Sequence, residues 1–170
     1  MIRSNSRNSQ ILEIINDNPG LNFCDLMRVT GLKNGVVTHH TRKLEDRQKI
    51  QVKRKRGNTR FFPKHMDEYE LVIFEMLRRK TTREIIMVLL DSPKGLTFSQ
   101  IIDNLGKAQS TISEYMQILL QEKVVQIRLD QRQKFFQLKK IDVVNDILKR
   151  YDSSLLTQTI HNFKDMFEML

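Results

Sequence analysis

The sequence predicts a mainly α chain with small β-ribbons, built as one helix–turn–helix unit written twice. A shift of 75 positions superimposes Ile11 on Ile86, Gly20-Leu21 on Gly95-Leu96, Phe23 on Phe98, Gly31 on Gly106 and Leu44 on Leu119. Near the end of the unit the offset falls to 74, where Phe61-Phe62 meets Phe135-Phe136. Each unit runs through the same order of signals: an apolar helix, a Gly-Leu turn, a short second helix, a Gly turn, a third helix and two basic strands. A helix–turn–helix with a β-ribbon can present one helix to a DNA major groove.

Composition narrows the function classes. The net charge of +9 and pI near 9.8 favour a polyanionic partner. With 39% hydrophobic residues among 170, the chain can bury one or two small cores. A single Cys rules out an internal disulfide framework and fits a reducing compartment. The run Ile85-Ile86-Met87-Val88-Leu89-Leu90 is far too short to span a bilayer, and Met1 to Ser6 lacks the apolar segment of a secretory signal. A cytoplasmic, nucleoid-associated protein is expected. The expected domains are a first unit over 1–65, a connecting helix over 66–80, a second unit over 81–140 and a helical tail over 141–170.

In the first unit, Ile11, Leu12, Ile14 and Ile15 make a helical face that stops before Pro19-Gly20. Asn22 is placed to cap the next helix, with Asp25 near its positive end and Phe23, Leu26 and Met27 turned to a core. Thr30-Gly31-Leu32 turns into a helix from about Asn34 to Arg47, with Val37, Thr41 and Leu44 inward. His39, Arg42 and Lys43 then project outward, with Lys33, Asn34 and Thr38 at the leading end. Lys49 to Arg54 alternates as a half-buried strand does, Lys55-Arg56-Gly57-Asn58 turns, and Thr59 to Phe62 returns. Residues 33–60 hold ten Lys or Arg against two acids, a net of +8, so nearly all the excess charge sits on this helix and ribbon. Phosphate binding needs such convergent cations.

The connecting segment carries Met66, Tyr69, Ile73 and Met76 at helical spacing and lacks Gly, Pro and Ser, so it reads as a packed helix and not a tether. In the second unit, Thr81-Thr82-Arg83-Glu84 and Thr97-Phe98-Ser99-Gln100 both have capping-box spacing. The helix from Ala108 to Gln121 turns Ile112, Met116 and Leu119 inward, and Val124–Leu129 with Lys134–Leu138 form the second ribbon around Asp130-Gln131-Arg132. Residues 107–134 carry five Lys or Arg and three acids, a net of only +2, with Glu114 in the place of His39 and Gln117 in that of Arg42. A carboxylate is repelled by phosphate, so weaker DNA contact is expected here, through Gln109, Ser110, Thr111, Gln117, Arg128, Arg132 and Lys134.

After the second ribbon, Ile141, Val144, Ile147 and Leu148 form a short amphipathic helix, and Asp152-Ser153-Ser154 breaks or caps it. Leu156, Ile160, Phe163, Phe167 and Leu170 follow at steps of four, three, four and three, a heptad seam that predicts homodimerisation through the tail.

The string from Gly31 to Glu45, with Gly31-Leu32, Val37-Thr38 and His40 in register, resembles the recognition helix of prokaryotic winged-helix transcription regulators. Those often read Gly-Leu-Ser-x-x-Thr-Val-Ser-x-His-Leu-x-x-Leu. Gly57 and Phe61-Phe62-Pro63 look like their wing, and Ser110-Thr111-Ile112-Ser113 resembles the same pattern in the second unit. The tandem arrangement and helical tail are most similar to the two-winged-helix regulators common in archaea. Thr41 stands where the pattern has Leu, which implies thinner packing under the first helix. The resemblance implies two tandem winged helix–turn–helix domains.

No catalytic constellation is present, and no cofactor or metal is expected. Adjacent His39 and His40 diverge by about 100° on a helix, and His65 and His161 have no ligand pattern around them. Cys24 reads as a small buried residue equivalent to Ser99. The expected function is a sequence-specific transcription regulator of double-stranded DNA. The helix over 34–47 would enter the major groove and the wing over 50–62 would lie on the backbone. Thr38, His39 and Arg42 are then the expected base readers, and Lys33, Lys43, Lys53, Arg54, Lys55, Arg56 and Arg60 the phosphate contacts. The rival is a tandem winged-helix interaction module that binds transcription machinery.

Overall fold

The computed structural model describes residues 6–55 and 57–151. The chain divides into two compact units, with the boundary between Leu71 and Val72. Both are helical with a small antiparallel β-hairpin.

The first unit runs α1 (Arg7–Asp17), β1 (Leu21–Asn22), α2 (Phe23–Thr30), α3 (Asn34–Asp46), β2 (Ile50–Lys55) and β3 (Asn58–Pro63). Its sheet has the order β1-β3-β2, all antiparallel. Ile11 and Ile15 of α1, Leu26 of α2, Val37 and Leu44 of α3, and Ile50 and Phe61 of the sheet form one core, with Leu12, Ile14, Phe23 and Met27 packed against it. Each large apolar side chain buried there contributes roughly 1.5–3 kcal/mol. Thr41 is buried too; its hydroxyl donates to the Val37 carbonyl at 2.8 Å, which satisfies the polar atom that replaces a Leu.

Local chemistry sets the helix ends. Asn22 and Asp25 form a reciprocal capping box: the Asp25 N–H donates to Asn22 Oδ1 at 2.8 Å, and the Asn22 N–H donates to Asp25 Oδ2 at 3.4 Å. Gly31 closes α2 in the left-handed conformation, φ 66°, which a residue with a Cβ adopts at a cost. Thr97 with Gln100 and Gly106 (φ 59°) repeat both devices 75 residues on.

The second unit runs α5 (Lys80–Leu90), α6 (Phe98–Leu105), α7 (Gln109–Gln121), β4 (Val125–Asp130) and β5 (Gln133–Leu138). α4 (Glu68–Leu77) spans the unit boundary, and a further helix runs from 141 to the end of the described residues at 151. Ile85, Ile86, Leu89, Ile101, Ile112, Met116 and Leu119 are buried, as are Val144 and Ile147 of the last helix. The α6, α7, β4 and β5 spans are those of α2, α3, β2 and β3 displaced by 75.

Three expectations need correction. The offset does not fall to 74 at the aromatics. Val52 pairs with Phe61 and Ile127 with Phe136, so the displacement stays at 75 through the hairpin. Phe61 and Phe136 hold the same slot: Phe23–Phe61 and Phe98–Phe136 both stand 6.1 Å apart. Phe62 therefore matches Gln137, and Phe135 matches Arg60. Next, Thr81-Thr82-Arg83-Glu84 is not a capping box. α5 begins at Lys80 after Arg79, without a side-chain cap, and the buried Thr82 hydroxyl donates back to the Met76 carbonyl instead. Finally, Cys24 is exposed, as is its counterpart Ser99, because the second position of each helix faces outward.

Candidate nucleic-acid interface

α3 is held from beneath by Val37, Thr41 and Leu44, and this fixes which side chains face out. Gly35, Thr38, His39, Arg42, Lys43 and Asp46 line one open depression along it. Lys33, Asn34, His39 and Arg42 are exposed, and Thr38 and Lys43 are half-buried. Thr38 Oγ1 donates to Asn34 Oδ1 at 3.0 Å, which orients both polar ends in the first turns. His40 turns the other way: its Nδ1 lies 2.6 Å from Asn8 Oδ1 on α1. Burial, reinforced by the charges of His39, Arg7 and Lys43, holds the His40 imidazole below its ordinary pKa.

The hairpin beside α3 carries the remaining cations. Lys53 is half-buried and Lys55 exposed; Arg56 lies outside the described residues. At the hairpin's base, the Gln51 amide donates to the carbonyls of Lys64 and Met66 at 2.8 Å each. Arg54 reaches from β2 to the last turn of α3. Its Nη1 and Nη2 donate to Glu45 Oε1 and Oε2 at 2.7 and 2.6 Å, a bidentate pair. These hydrogen bonds hold the Glu45 carboxyl below its ordinary value and raise the Arg54 guanidinium.

Arg60 departs from the expected set. It is 8% exposed, and its Nη1 donates to the Gly20 carbonyl at 2.6 Å. β3 is the central strand, with Phe61 on one face and Phe62 on the other both buried, so Arg60 is enclosed as well. It braces the turn before β1.

In the second unit the same geometry carries less charge. Gln109, Ser110 and Gln117 are exposed along α7 and Thr111 is half-buried, with Glu114 exposed among them. Arg132 and Lys134 are exposed at the hairpin tip, where Gln131 and Arg132 both take positive φ, 44° and 66°. Such residues build the tight two-residue turn that hairpins favour. Arg128 is half-buried at the surface and engaged by its own unit: it pairs with Asp130 at 2.8 Å, donates to the Lys94 carbonyl at 3.2 Å and stacks over Phe135 at 5.1 Å. A guanidinium thus braces the Gly-Leu turn in each unit, from β3 in the first and from β4 in the second. Ile127 and Leu129 are 44% and 70% exposed on β4.

Sequence reasoning missed Glu45 and Asn8 as partners. Asn8 has no sequence signal. Glu45 had one: at the offset of 75, Glu45 becomes Leu120 and Arg54 becomes Leu129, so both ends of the pair change together. The proposed dimer stripe of Leu156, Ile160, Phe163, Phe167 and Leu170 lies outside the described residues. Among the described residues no cluster of three His, Cys, Asp or Glu side chains could hold a metal ion, and no helix is long and apolar enough to cross a membrane.

Two family models divide the chain as its geometry does. Residues 5–73 match an N-terminal HTH domain of the HVO_0163 type, and residues 79–126 match the bacterial regulatory protein, arsR family. The chain carries two distinct helix–turn–helix domains in tandem. No curated protein matches it. Tandem helix–turn–helix domains suggest a DNA-binding regulatory function. Within the first domain, α2 and α3 are the paired helices; within the second, α6 and α7 are.

Proposed function

We propose that this protein is a sequence-specific, double-stranded DNA-binding transcription regulator of the archaeal-type tandem winged-helix kind. α3 enters the major groove, and the β2–β3 hairpin acts as a wing along the backbone. Thr38, His39 and Arg42 read base edges, while Lys33, Lys43, Lys53, Lys55 and Arg56 neutralise phosphates. The observation that carries this reading is the convergence of charge: a net of +8 out of +9 falls within residues 33–60, on one helix and the hairpin beside it. The second unit contributes weaker contacts through Gln109, Ser110, Thr111, Gln117, Arg132 and Lys134.

The exposed Ile127 and Leu129 favour a second role for the second unit, as a docking surface for a protein of the transcription machinery. Titration of a selected duplex and a random duplex at two salt concentrations tests the main reading. Affinity should fall with salt by about 0.9 log units per decade for each phosphate contact, and the selected duplex should bind more tightly. Removing Lys55 and Arg56 together should flatten that slope by about two units and weaken all sequences alike. Binding absent at low salt would leave the interaction module as the function.

A further inference from the structure

The Arg54–Glu45 pair is set among cations that would otherwise push α3 and the hairpin apart. Arg42 and Lys43 lie within one turn of Glu45, and Lys53 and Lys55 flank Arg54. Like charges on two adjacent elements repel, and in the free protein no phosphate is present to offset that repulsion. Glu45 is the carboxylate that stands between them: both Arg54 and Arg42 stabilise its charge. The fork-to-fork geometry, 2.7 and 2.6 Å, fixes orientation as well as distance.

The second unit supplies an internal control. It folds the same hairpin at the same register with Leu120 and Leu129 at these positions. The ion pair is therefore no requirement of the fold. It occurs in the unit that carries the charge.

We infer that Arg54 and Glu45 are positioning residues, a clamp that sets the angle of the β2–β3 hairpin against α3, and that Arg54 is not a phosphate contact. The inference rests on the DNA-binding reading for its consequence, since the clamp would hold wing and reading helix in one pose. With Nη1 and Nη2 held by the carboxylate, the pair is close to neutral as a unit and adds little to counterion release from DNA. A carboxylate near a phosphate path is tolerable because its charge is matched locally.

The test has one arm without DNA. In the free full chain, ¹⁵N relaxation should show Glu45→Gln lowering the backbone order of residues 53–59 and leaving 60–62 unchanged. Unchanged order at the hairpin tip would overturn the clamp whether or not the protein binds DNA. The second arm uses the selected duplex. Arg54→Gln and Glu45→Gln should each weaken binding about two- to five-fold, the range an exposed ion pair can contribute. Arg54→Gln should leave the salt slope unchanged, whereas Lys53→Gln should flatten it by about 0.9. The exchanged double variant Glu45→Arg with Arg54→Glu should recover most of the affinity. A flatter slope for Arg54→Gln, or tighter binding by Glu45→Gln, would overturn the inference. Wild-type protein that fails to bind duplex at low salt refutes the DNA reading alone, and the relaxation arm still decides the clamp.

Discussion

Arg60 offers the sharpest separation between a cation that binds and a cation that builds. Replacing Arg60 with Ala removes a nearly buried guanidinium and leaves the Gly20 carbonyl without its 2.6 Å donor. A hydrogen bond from a charged group contributes roughly 1.5–3 kcal/mol, and a carbonyl left unsatisfied in a buried setting accounts for much of that loss. Truncation also empties a nearly enclosed place on the central strand, flanked across the sheet by Asn22 and Lys53. Together these give a destabilisation of about 2–3 kcal/mol for the first unit. For a domain of this size that lowers Tm by on the order of 10–20 °C. Calorimetry of the full chain should show the first unit's transition moving and the second unit's staying in place. The salt slope of DNA binding, measured at a temperature where the variant is folded, should match wild type. The reasoning is refuted by an unchanged Tm together with a slope flattened by about 0.9, which is how a phosphate contact behaves.

Arg42→Ala should cost about 1–3 kcal/mol on the preferred duplex if Arg42 reads a guanine, and Gln117→Ala should cost less; equal losses in titration would mean that α7 reads bases as strongly as α3. His40 is held below its ordinary pKa of 6.5, chiefly by burial, so the unfolded chain binds its proton more readily than the folded one. Its contribution is complete above pH 6.5 and is lost as pH falls through the lowered folded value. His40→Gln should therefore flatten the acid side of a urea-midpoint profile below that pH, and parallel profiles would remove His40 as the cause. Phe163→Asp with Phe167→Asp should convert a dimer into a folded monomer with weaker operator binding, read by sedimentation; wild type sedimenting as a monomer at tens of micromolar would end the dimer proposal.

What the sequence by itself determined is what short-range chemistry decides. The cap at Asn22, the capping box at Thr97–Gln100 and the glycine turns at 31 and 106 involve residues within a few positions of each other, so spacing alone pointed to them. The inward faces of α3 and α7 followed from helical periodicity, and Val37, Thr41, Leu44, Ile112, Met116 and Leu119 are all buried. The charge asymmetry between the units is a property of composition and needed no coordinates. The tertiary structure decided what each cation does. A count of Lys and Arg weighs Lys53, Arg54 and Arg60 alike, yet one stays half-buried on the hairpin, one grips Glu45 and one is enclosed under the Gly20 turn. Strand alternation assumed one wet face, but β3 is the middle strand with both faces covered, so its cation had to find a carbonyl. Likewise the matched aromatic dipeptides suggested a slipped register, and only the pairing of Ile127 with Phe136 fixed which Phe is the true counterpart of Phe61. Thr82 spends its hydroxyl on Met76, six residues back, across a break between helices that no capping pattern describes. Partners far apart in sequence are chosen by where packing brings the backbone, and that is information the order of residues carries only through the folded chain.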